Sequence, residues 1–202
     1  MSIRTVLFDL GNVLLDFSHE KMCQQVSELI SVSQTEVKLV FFESGLSFKF
    51  ETGELTESEV HQHLERAFHQ SCTIEQLREA VGDIFTPKVE MEAIVQSLRG
   101  QGIRLVLMSN TCETHIEWIR QTYTILNEFD HLVLSYEVGA CKPDESIYKS
   151  ALKHINCLPE ECFYTDDIAE YVLKARSLGI NAEVFTGSTK LNSDFKKYGL
   201  KV

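Results

Sequence analysis

The chain has 202 residues, 44% of them hydrophobic and 24% charged, enough for one full domain carrying an insert but not for two large independent domains. With three prolines and ten glycines there is no room for a long disordered tract. A formal net charge of -11 excludes a generic binder of nucleic acid or anionic membrane, because phosphate backbones are met by excess Lys and Arg.

Residues 4 to 9, RTVLFD, read as a short buried strand that delivers Asp9 into a loop containing Gly11 and Asn12. From 17 to 86 the signals are helical. Ser33 with Glu36, Thr56 with Glu59 and Thr73 with Gln76 have the spacing of capping boxes, in which hydroxyl and later side chain satisfy the free N–H groups of a first turn. Apolar residues then recur at helical intervals, as in Val60, Leu64 and Phe68, and an earlier helix is implied by Met22, Val26, Leu29 and Ile30. Phe48, Phe50 and Glu51 fall in an expected interhelical loop facing the substrate side.

Pro87 suits the first position of a further helix. Ile103 to Ser109 is a continuous apolar run, as expected of a strand buried on both faces, and it ends in Ser109, Asn110 and Thr111. A third run, Leu132 to Ser135, precedes Lys142 and a helix; a fourth, Cys162 to Thr165, ends in Asp166 and Asp167 and leads to a helix closed by Gly179. Ala182 to Phe185 is a fifth. Alternating strands and helices specify an α/β fold with a Rossmann-like parallel sheet, whose ligands sit beyond the carboxyl ends of the strands. Residues 1–16 and 87–202 form the expected core, and 17–86 the expected helical cap inserted after the first strand.

The scattered cysteines (Cys23, Cys72, Cys112, Cys141, Cys157, Cys162) include no Cys-x-x-Cys pair, so reduced thiols are expected. The N-terminal residues carry no secretory signal and no run of about 18 apolar residues occurs anywhere. A cytoplasmic setting without membrane or nucleic-acid partners is the expectation. His61 and His63 lie on different helix faces, wrong for a shared metal, and Trp118 and Phe41-Phe42 read as core.

Separate strands deliver Asp9, Ser109 and the pair Asp166/Asp167 to one sheet edge, with Lys142 nearby. Several carboxylates beside one ammonium suit Mg²⁺ and a phosphate, since Mg²⁺ takes carboxylates, waters and phosphate oxygens in octahedral geometry. A carboxylate so placed can attack phosphorus to form an aspartyl-phosphate, while Ser109 and Asn110 receive the phosphate oxygens.

The segments FDLGNVLLD (8–16), LMSNT (107–111), CKPDESIY (141–148) and FYTDDIAEYVLKARSLG (163–179) resemble the four motifs of haloacid-dehalogenase-like hydrolases, in particular a subgroup of sugar-phosphate phosphatases that includes one for α-D-glucose 1-phosphate. The resemblance implies a Mg²⁺-dependent phosphatase of a small phosphorylated metabolite. It makes Asp9 the nucleophile, Ser109 the phosphate-binding hydroxyl and Lys142 the neutralising lysine. Asp9, the Gly11 carbonyl, Asp167 and its neighbour Asp166 form the metal set.

Two positions depart from the family's pattern. Gly11 stands where a second Asp usually acts as general acid, and Tyr171 stands where an Asn or Asp is common. Loss of general acid help costs about 10²–10⁴-fold with a poor leaving group, so a sugar 1-phosphate, whose anomeric oxygen leaves more readily, suits this site; Asp16, His19 or a cap residue are the other proton sources to weigh. The same departures motivate a competing reading as a non-catalytic phospholigand-binding regulator. A 2-haloacid dehalogenase is a third reading, disfavoured by the adjacent carboxylates.

Overall fold

The computed structural model describes residues 2–201. In chain order its elements are β1 (Thr5–Phe8), β2 (Leu15–Phe17), α1 (His19–Ile30), α2 (Gln34–Lys38), α3 (Leu46–Glu51), α4 (Glu57–Phe68), α5 (Ile74–Gly82), β3 (Phe85–Pro87) and α6 (Val89–Gly100). There follow β4 (Arg104–Ser109), α7 (Glu113–Thr122), β5 (His131–Leu134), α8 (Ser135–Val138), α9 (Glu145–Leu152), β6 (Cys162–Asp166), α10 (Ala169–Ser177), β7 (Asn181–Val184) and α11 (Ser188–Lys197).

Five strands form a parallel sheet in the order β5-β4-β1-β6-β7. The central strands β1, β4 and β6 are mainly apolar because both faces are covered, whereas the edge strands β5 and β7 are only partly buried. Val6 and Phe8 of β1 face one hydrophobic cluster with Leu105, Leu107 and Phe163, while Leu7 faces the other with Val106, Met108 and Tyr164. From β1 the chain adds β4 and β5 on one side, then crosses to add β6 and β7 on the other. The direction of growth therefore reverses at β1, which places a crevice beyond its carboxyl end.

Helices α1 to α5 lie between β2 and β3, which pair antiparallel with Leu15 opposite Pro87 and Phe17 opposite Phe85. All three expected capping boxes form, at Ser33, Thr56 and Thr73. The structure departs from the sequence reading at several places. The expected loop around Phe48 is helix α3, which starts at Gly45 with φ 78° and without a side-chain cap, so no capping residue advertises it. Pro87 ends β3 rather than opening a helix, and α6 begins at Val89. Ser135 begins α8 instead of ending a strand.

The helical insert is fastened to the core at named contacts. Thr114 Oγ1 at the start of α7 donates to Glu57 Oε1 at 2.8 Å, and Arg78 holds the same carboxylate. Gly53, just past α3, has φ +70°, and a Cβ built on it would stand 2.2 Å from the carbonyl oxygen of Tyr136 in α8. Only glycine permits both that conformation and that approach. Gly53→Ala is accordingly expected to cost about 1–3 kcal/mol, seen as a lower urea midpoint at constant slope; an unchanged midpoint would mean that this seam opens freely.

Candidate active site

At the end of β1, the Asp9 amide donates to Thr165 O of β6 at 3.1 Å, keeping the two strands paired to their tips. The chain then turns sharply: the amides of Leu14 and Leu15 both donate to Leu10 O, at 2.9 and 3.0 Å, and Asn12 takes φ 57°. Asparagine tolerates this left-handed conformation, and its Nδ2 donates to Asp167 Oδ2 at 3.1 Å, tying the first loop to the fourth.

The ammonium of Lys142 sits between Asp9 Oδ1 and Asp166 Oδ2, 2.6 Å from each, with Lys142 3% exposed and Asp166 0%. Tyr164 OH donates to the same Asp166 oxygen, and Asp166 Oδ1 accepts from Ile168 N at 2.8 Å. Burial alone would lower the Lys142 pKa, but Asp9 and Asp166 outweigh it and hold the ammonium above its ordinary value. Burial pushes the Asp9 carboxyl up to about 7, Lys142 opposing and Asp166 reinforcing. Lys142 also lies over the Tyr171 ring, 5.1 Å from its centroid.

Oxygens of Asp9, Asp166 and Asp167 lie within 4.8 Å of one another. All three carboxylates are also engaged within the protein: Asp166 by Lys142, Tyr164 and the Ile168 amide, Asp9 by Lys142, and Asp167 by Asn12, and the cluster lies beside the loop carrying Gly11. Asn110 lines the cleft and braces Lys142. Its Oδ1 accepts from Lys142 N at 2.7 Å and its Nδ2 donates to Lys142 O at 3.1 Å, a reciprocal clamp on the lysine backbone. Ser109, 2% exposed, also lines the cleft with Asp9 and Lys142.

The cleft continues from this cluster to a wall built by Phe17, His19, Glu51, Phe85 and His115, with Tyr171 on the core side. No motif in the sequence marks Phe17, Phe85 or His115 as lining the cleft. Gly11 is not at positive φ, and the obstacle to a side chain there is steric: a Cβ would lie 2.7 Å from Phe17 Cε1. The space of a second carboxylate is thus taken by an aromatic ring. Asp16 pairs with Lys88 at 2.5 Å and does not line the cleft. Burial lowers the pKa of His19 and takes His115 down to about 4. Burial pushes the Glu51 carboxyl up to about 7.

Solved structures with this fold include a predicted HAD-like family hydrolase of Porphyromonas gingivalis (TM-score 0.83, 23% identity, 100% of each chain covered). Another is an enzyme of the same family from Bacteroides thetaiotaomicron in complex with magnesium and inorganic phosphate (TM-score 0.80, 22% identity, 93% of this chain and 96% of that one). Among curated proteins, a D-ribitol-5-phosphate phosphatase of Bacteroides thetaiotaomicron is 25% identical over 88% of this chain and 89% of its own length. Other relatives are longer, and the chain spans 34% of one of them. The haloacid dehalogenase-like hydrolase family matches residues 3–179. That match spans β1, β4, the Lys142 loop and β6, and the chain belongs to the haloacid dehalogenase-like hydrolases.

Proposed function

We propose that this hydrolase is a Mg²⁺-dependent phosphatase of a small phosphate monoester with an uncharged, hydroxyl-bearing leaving group, a sugar 1-phosphate being the favoured case. The observation that carries the reading is the buried Lys142 bridging Asp9 and Asp166 beside Asp167. Carboxylates in excess over one ammonium leave a negative imbalance that fits a hard dication. Asp9, Asp167 and the Gly11 carbonyl would hold it, and when bound it supplies charge neutralisation for the phosphate and for an ionised Asp9. The resemblance to a magnesium and phosphate complex supports the same choice.

Asp9 then attacks phosphorus, forming the aspartyl-phosphate as the ester oxygen departs. Lys142 stabilises the charge gathering on the phosphoryl oxygens without moving, because Asp166, Tyr164 and Asn110 already fix it. Ser109 contributes a hydroxyl to a further phosphate oxygen.

Among the described residues Lys142 is the one Lys or Arg lining the cleft, and burial lowers the pKa of both histidines of the wall, disfavouring their charged forms. A second phosphate or a carboxylate on the leaving group would find no partner. His115 Nε2 is buried without a hydrogen-bond partner in the protein, and a substrate hydroxyl would satisfy it, which favours a sugar or polyol. The D-ribitol-5-phosphate phosphatase is a relative whose named substrate is of this kind. A 2-haloacid would bring its own carboxylate to a cluster already rich in them, which disfavours dehalogenation.

A phosphate-release panel with added Mg²⁺ is expected to favour neutral sugar and polyol monophosphates over nucleotides and bisphosphates by at least about 10-fold, the equivalent of ~1.4 kcal/mol. Best turnover of a nucleotide would overturn the leaving-group assignment, and no release from any ester would favour the phospholigand-binding regulator. Asp9→Asn is expected to fold normally and lose turnover altogether. Lys142→Ala is expected to lower kcat/KM by at least about 10²-fold and to destabilise the metal-free protein, since breaking a buried pair costs about 3–5 kcal/mol; both are read from kinetics and urea unfolding, and unchanged values would place Lys142 outside the chemistry.

A further inference from the structure

Gly11 and the Phe17 ring deny the site a proton donor on the core side, yet the cleft has a carboxyl on the opposite wall. We infer that Glu51, at the end of α3, is the general acid that protonates the departing oxygen, an assignment that rests on the phosphatase reading. As the bond from Asp9 to phosphorus forms, the bond from phosphorus to the ester oxygen breaks and its electron pair stays on that oxygen. The Glu51 proton passes to the oxygen and leaves a carboxylate. In the second half-reaction that carboxylate takes a proton from the water attacking the aspartyl-phosphate, which restores the acid and frees Asp9 and inorganic phosphate.

Three observations support the assignment. Glu51 lines the same cavity as Asp9 and Lys142. Its place is fixed from the core: the Cys141 thiol, one residue before Lys142, donates to the Glu51 carbonyl at 3.8 Å, and two residues later Gly53 is seated against the Tyr136 carbonyl. Among the described residues no salt bridge or hydrogen bond engages its carboxyl, in contrast to Asp16, which is paired with Lys88 outside the cleft.

The groups facing Glu51 do not compete for the task. Burial lowers the pKa of His19 from α1 and takes that of His115 from α7 to about 4, so neither favours the imidazolium form that could act as the acid. Burial raises the Cys112 and Cys141 thiols, and raises the Tyr171 phenol, out of the working range. Asp9 and Lys142 are committed to the phosphoryl group. Glu51, raised to about 7 by burial, combines the protonated form with a pKa near neutrality, the combination general acid catalysis asks for.

The test compares leaving groups in the Mg²⁺-loaded full chain. For Glu51→Gln, kcat/KM on alkyl phosphates such as a sugar 6-phosphate should fall by about 10²–10⁴-fold, while kcat/KM on 4-nitrophenyl phosphate, whose leaving group needs no proton, should change by less than about 5-fold. In the wild type, kcat/KM for the alkyl ester should decline above about pH 7, and that decline should be missing in the variant. Aryl turnover also reports that the variant is folded and holds its metal. Equal losses on both esters would make Glu51 a binding or structural residue, and unchanged alkyl turnover would remove it from the reaction; either overturns the assignment. Wild-type protein inert toward both esters would fail the phosphatase reading itself, and the assignment with it.

Discussion

An ammonium buried to the depth of Lys142 is tolerable only because two carboxylates meet it at 2.6 Å, and much of the molecule serves to keep those three groups together. Desolvating each charge costs several kcal/mol, and mutual attraction returns that only where geometry is exact and the leftover lone pairs are satisfied. Hence the accessory bonds: Tyr164 and the Ile168 amide to Asp166, and Asn110 to the lysine backbone. The partners come from β1, the loop before α9, and β6, so the cluster forms only when the parallel sheet is in register. Folding and assembly of the site are one event.

That dependence explains which parts of the molecule are legible in the sequence. Strands buried on both faces announce themselves as uninterrupted apolar runs, and helices α2, α4 and α5 through local capping boxes at Ser33, Thr56 and Thr73. Asp9, Ser109 and Lys142 are legible because each sits at a fixed place relative to such a run. Helix α3 is silent because Gly45 starts it through backbone conformation alone. Strands β2 and β3 are three residues each, too short to show a period. The contacts of Asn110 and Asp166 with Lys142 are not legible for another reason: a polar residue at a strand end has the same appearance in the sequence whether or not it braces a neighbour.

Gly11 is informative in the same way. Read along the chain it is a missing carboxylate; in three dimensions it is an occupied space, filled by Phe17 from β2. The ring packs against Phe85 across the β2–β3 pair and against His19, so the position is held by the junction between insert and core. An acid at residue 11 would have to displace part of that junction, whereas the wall of the cleft contributed by α3 offers a carboxyl at no such cost.

The β2–β3 ribbon is where the chain passes from core to insert and back, two adjacent antiparallel crossings. These two neighbouring crossings hold the insert at one short seam, and Phe17 and Phe85 of that seam line the cleft. Glu51 lies away from the crossing, at the end of α3, and reaches the same cleft because Cys141 and the Tyr136 carbonyl seat that end of the helix on the core. The aromatic wall is therefore built by the pairing of the crossing itself, and the carboxyl wall by a separate contact between insert and core.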